Sequence, residues 1–161
     1  SIFSLFPEVE VAIIMMVIQY DLHASDIYKL NLKHRDKTER KTPELNSTKL
    51  KLSNVNAALK EYKTLNSIID PLSMYFSILI IHAQPSGKSA LLGIQLFHYT
   101  AHLLRITSEY KWHAVVLYHM AFFTKYQEEM MDRDYARWSK IDLELQGKHL
   151  FLYYKAKVTT S

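Results

Sequence analysis

The chain has 161 residues, 48% hydrophobic and 12% aromatic, which suits one sizeable core and excludes intrinsic disorder. It has no Cys, which rules out disulfide frameworks, thiolate metal sites and thiol catalysis, and its 3 Gly and 4 Pro give too little turn chemistry for a hairpin-rich β fold. The net charge of +4 is concentrated rather than general: ten basic residues against four acidic ones between Lys29 and Lys63 make a local +6, and the remainder sums to about −2.

Composition therefore predicts an all-α protein, an irregular bundle of about five to seven helices. Pro7 and Glu8 open an apolar helix candidate reaching about Leu22, with Val9, Ile13, Met16, Val17 and Tyr20 near one face. It is apolar nearly all round, so either the main core or another chain must cover it. Pairing between copies is the expectation, with Ile13, Ile14, Met16 and Val17 as assembly residues. Its run from Val11 to Ile18 covers eight residues, short of the ~20 that cross a bilayer, so no membrane span is expected. Residues 33–53 are charged and polar around Pro43 and read as a basic linker. The chain thus divides into an apolar N-terminal region (1–32), that linker, and a main helical domain (54–161).

Ser53 or Asn54 can cap a helix from about Val55 to Asn66. Asp70-Pro71 predicts a fresh helix start, Pro71 taking the first position, with a buried strand as runner-up over Tyr75 to Ile81. Gln84-Pro85-Ser86-Gly87 reads as a turn whose Ser86 caps a helix from about Lys88 to Thr107. The next helix, Trp112 to Met131, carries a stripe of Trp112, Val115, His119 and Phe122, on which Trp112 and Phe122 are the expected core anchors. Tyr135 to Trp138 is a turn or short helix, Ile141 to Gln146 a short helix, and His149 to Lys157 a final helix or strand.

Chemical signatures are sparse. Phe76 to Ser89 resembles a strand entering a phosphate loop only superficially, because His82 stands where the motif needs Gly and Pro85 removes a backbone donor. His98 and His102, four apart on one helical face, are weak metal-ligand candidates, with His113, His119 or Glu109 open as a third ligand. Glu128-Glu129 and Asp132/Asp134 lie in a run at a helix end, where carboxylates face water rather than each other across a cleft. Lys33, Arg35, Lys37, Arg40, Lys41, Lys49 and Lys51 could neutralise phosphates, although few aromatics interleave for base stacking.

A longer pattern runs through the C-terminal half: Met74-Tyr75-Phe76, Pro85-Ser86, Leu91 and Leu92, Trp112 with Val115, Tyr118-His119 and Phe122, then Asp134-Tyr135, Trp138, Ile141-Asp142, Leu145 and His149-Leu150. In this series the chain resembles the gag-like region of fungal and metazoan retroelement open reading frames, DIRS-type elements included. The resemblance implies a non-enzymatic assembly or scaffolding module acting near nucleic acid, with no mapped functional residues. The absence of Cys makes an intracellular protein the expectation, the apolar N-terminal helix makes self-association one, and no cofactor is expected. A nucleic-acid-binding module using the basic arm is the alternative. A metal-dependent enzyme using His98 and His102 is the third.

Overall fold

The computed structural model describes residues 1–31 and 50–156, with the side chains of the second stretch from residue 56 onward. Seven α-helices and three 3-10 segments form the regular structure of the described residues, which contain no strand. The basic arm from Lys33 to Lys49 lies outside them, and only the backbone of Lys51 falls within.

Ser1 caps a single turn, α1 (Ile2–Leu5), its hydroxyl accepting from the Phe3 N–H at 3.3 Å. α2 (Val11–Ile18) is shorter at both ends than the apolar pattern suggested. Its end is fixed by backbone geometry: the Asp21 N–H donates to the Met16 carbonyl and the Tyr20 N–H to the Val17 carbonyl, with Tyr20 at φ 58°. These paired bonds make a Schellman cap, which favours Gly at the left-handed position. The Tyr20 ring is instead held by its hydroxyl, 3.1 Å from that of Tyr135. A 3-10 helix, Ala24–Leu30, follows and buries Ala24, Ile27 and Leu30. Their spacing of three is the 3-10 period, so one side faces the core throughout.

α3 (Leu50–Glu61) leads to Tyr62, which ties three parts of the chain together. Its hydroxyl accepts from the Tyr28 N–H at 2.8 Å and donates to the Ala24 carbonyl at 3.1 Å, while its own carbonyl accepts the Trp112 indole N–H at 2.7 Å. α4 (Leu65–Ala83) begins well before Asp70. Thr64 and Ser67 form a reciprocal capping box, so two donors of the first turn are satisfied there and Pro71 lies inside the helix, where it leaves the Ser67 carbonyl without its usual partner. The fresh start at Asp70 and the strand alternative are both corrected. By length and composition α4 and its extension to Ser86 could cross a bilayer, but Leu72, Tyr75, Phe76, Ile78 and Leu79 are buried within the bundle.

A 3-10 turn (Gln84–Ser86) ends at Gly87, whose φ of 75° suits a residue without Cβ. Ser86 does not cap the next helix: its hydroxyl donates back to the Ala83 carbonyl. α5 (Ser89–Glu109) and α6 (Trp112–Met131) are joined by only two residues and so run back along each other. A second Schellman cap, with Arg133 at φ 60°, closes α6. The 3-10 turn Ala136–Ser139 and α7 (Leu143–His149) follow. The last described residues are neither helix nor strand: an isolated antiparallel bridge joins Tyr154 to Tyr110 across the α5–α6 turn.

One aromatic core holds these elements. Trp138, from the short 3-10 turn, meets Phe76 of α4, Tyr99 of α5 and Phe122 and Phe123 of α6 edge to face, with ring centroids 5.0–5.4 Å apart. Such contacts add to the burial of a large apolar surface. The described N-terminal residues share this core. Ile14 and Val17 are fully buried, α2 packs on α4, and Gln127 of α6 donates to the Leu22 carbonyl at 2.9 Å and to the Tyr75 hydroxyl at 3.2 Å. Trp112 is only half-buried, whereas Phe122 is a core anchor as expected.

Candidate functional site

α5 and α6 bring together polar groups that their separate sequences do not pair. The Tyr99 hydroxyl lies 2.6 Å from His119 Nδ1, and His102 Nε2 lies 2.9 Å from the Tyr118 hydroxyl. Moving forward on α5 means moving back on α6, as antiparallel helices require. Burial pushes the phenol of Tyr99 well above its ordinary range, so it stays protonated. Burial lowers His119 to about 3, and burial with the Arg105 charge lowers His102 to about 4, so both imidazoles are neutral at pH 7. A neutral ring has one bare nitrogen, and a phenol O–H donating to it satisfies both partners.

Two surface features lie on the outer side of this pair of helices. The first is a cleft of about 290 Å³ between α5 and the segment after Trp138, lined by His98, Ala101, His102, Arg105, Trp138, Ser139, Lys140 and Ile141. Its lining contains two cations and no carboxylate. Beside it, Asp142 is already engaged. Burial would raise its carboxyl, but the Lys125 ammonium at 2.7 Å, the Tyr126 hydroxyl and the Leu145 N–H at 3.0 Å outweigh burial and hold it at about 2. Asp142 thereby caps α7 and fastens it to α6.

The second feature is the outward face of α5. Leu91, Ile94, Phe97, Ala101 and Leu104 recur at three- and four-residue steps, and Ile94, Phe97 and Leu104 are 50%, 76% and 55% exposed. From Ser89 to Leu104 the helix carries no Asp, Glu, Lys or Arg. Scattered exposed apolar residues are ordinary, whereas these form one uncharged stripe along the helix.

The residues singled out from sequence fall differently. His98 and His102 share a helix, yet His98 is exposed while His102 is buried and bonded to Tyr118. Among the described residues no three His, Asp or Glu side chains are grouped to hold a metal ion. Of the four assembly candidates, Ile14 and Val17 are corrected to core positions, since the chain's own bundle covers them, and Ile13 and Met16 are half-buried against that core. Ser139 is the hydroxyl in the cleft, and it donates to the Ala136 carbonyl rather than to a histidine. The cleft thus holds no nucleophile–base pair.

Fold and surface together define an all-α bundle with an uncharged apolar helix face beside a cationic cleft. No protein-family model, curated protein or solved structure matches the chain.

Proposed function

We propose that the protein is a non-enzymatic assembly module that self-associates through α5, a role of the kind the gag-like resemblance implies. The observation that carries this reading is the exposed stripe of Leu91, Ile94, Phe97, Ala101 and Leu104 on a stretch without formal charge. A face of this kind is self-complementary, because two copies related by a twofold axis bring apolar against apolar and set no like charges in opposition. Burying it removes from water side chains worth about 1.5–3 kcal/mol each when fully covered. The test is light scattering across a concentration series for the parent and for Ile94→Glu with Phe97→Glu. Concentration-dependent mass in the parent, abolished in the variant without loss of thermal stability, supports the reading; a parent that stays monomeric at high concentration refutes it.

A second reading is favoured by the local +6 between Lys29 and Lys63. Lys33, Arg35, Lys37, Arg40, Lys41, Lys49 and Lys51 would grip phosphates of nucleic acid while α5 supplies assembly. Its signature is a steep fall in binding as salt rises, and salt-independent binding excludes it.

A further inference from the structure

We propose that the cleft between α5 and the segment after Trp138 binds a small organic carboxylate, its charge between Arg105 and Lys140 and its apolar body against Ala101, Ile141 and Trp138. The charge argument comes first. Arg105 and Lys140 both line the cleft and neither makes an ion pair among the described residues, whose salt bridges join Lys29 to Asp26, Lys125 to Asp142 and Arg137 to Glu129. Nearby acids leave the two cations uncompensated: Asp142 is taken by Lys125 and Tyr126, and Glu109, one turn beyond Arg105, forms no salt bridge with it. His102, the buried wall residue beside them, is neutral and bonded to Tyr118, so the site's charge comes from the two cations.

The indole of Trp138 forms part of the cleft wall. The residue is 1% exposed, and its Nε1–H has no acceptor. That nitrogen is itself closed off from the cleft, so Trp138 bounds the site through its other atoms and its indole N–H resonance serves as a reporter of what binds there.

Size and lining then select the class. The 290 Å³ of the cleft corresponds to roughly ten water volumes at ~30 Å³ each, more than a bare inorganic oxyanion fills. It stands at the small end of the ~300–1,000 Å³ of ligand sites. Guanidinium and ammonium recognise carboxylate and phosphate alike, but the apolar walls add affinity only for an anion that carries a hydrocarbon body.

The test is a titration of the full chain, isotopically labelled, with benzoate, its neutral isostere benzamide, inorganic phosphate, and an acetylated, amidated tripeptide centred on Glu. The readout is the Trp138 indole N–H resonance, assigned by its persistence in Trp112→Phe. Benzoate is expected to shift that resonance saturably, with benzamide and phosphate each at least tenfold weaker. Arg105→Gln with Lys140→Gln should weaken benzoate at least tenfold while leaving the melting temperature unchanged, since both side chains are exposed. The proposal is overturned if benzoate fails to saturate, if benzamide or phosphate binds as tightly, if the double variant keeps its affinity, or if the tripeptide binds more tightly than benzoate, which assigns the cleft to a protein carboxylate. The comparison of benzoate with benzamide uses the unaltered protein, so it stands even if the double variant misfolds.

Discussion

Acidification should destabilise this protein well above the carboxylate range, and His119 is the residue that makes it so. Its ring is 1% exposed, hydrogen-bonded through Nδ1 to Tyr99, and burial lowers it from the ordinary 6.5 to about 3. Between those values the unfolded chain binds a proton at this position and the folded chain does not. Stability is therefore full above about pH 6.5 and falls as pH drops toward 3. Each pH unit well inside that window is worth 1.36 kcal/mol, so lowering the pH from 7.0 to 5.0 costs about 2 kcal/mol from His119 alone. His102 acts in the same direction, with a smaller effect because it borders the open cleft. Asp142 belongs to a lower window: its carboxyl is held near 2 against an ordinary 3.8, so its contribution is lost only as pH falls below about 3.8. Urea unfolding at pH 7.0, 6.0 and 5.0, for the parent and His119→Gln, separates these effects. The variant is expected to start lower, because Tyr99 loses a well-placed acceptor, but to lose about 2 kcal/mol less than the parent between pH 7.0 and 5.0. Parallel pH profiles for the two proteins would refute the assignment of a neutral, buried His119.

Trp138→Ala should cost about 3–5 kcal/mol in chemical denaturation, the usual penalty for emptying a packed aromatic site, because four rings meet Trp138 edge to face. Trp112→Phe should cost only about 0.5–1.5 kcal/mol by the same measurement, since the half-buried ring is kept and one hydrogen bond to the Tyr62 carbonyl is lost. Asp142→Ala should cost about 1–2 kcal/mol for the cap alone and weaken amide protection in α7, which hydrogen exchange would localise. Arg133→Gly should raise the melting temperature, with a gain of about 1 kcal/mol, because Arg133 holds a left-handed conformation at φ 60° that Gly adopts without strain.

The helices were legible because each is signalled within its own stretch of chain. Trp112 to Met131 is both the predicted and the observed extent of α6, and the Gln84–Gly87 turn lies where Pro and Gly place it. Misreadings were local competitions between signals. Asp70-Pro71 is a strong start signal, but the Thr64–Ser67 capping box satisfies the first turn earlier and the helix runs through the proline. The apolar character of α2 was equally plain, yet periodicity says only that such a helix must be covered. Packing against α4 decided that Ile14 and Val17 are covered from within, while Val11 and Met15 of α2 stay exposed, as does the α5 stripe. His98 and His102 drew attention because a sequence displays residues one helix at a time. The pairs that form, Tyr99 with His119 and His102 with Tyr118, join two antiparallel helices, and the cleft needs Arg105 and Lys140 from elements 35 positions apart in the sequence. Sequence determined which segments coil and which sides must leave water. Which side meets which, and so where charge goes unpaired and a buried indole lacks an acceptor, was decided by tertiary packing, because those interactions depend on distances between helices that no single helix encodes.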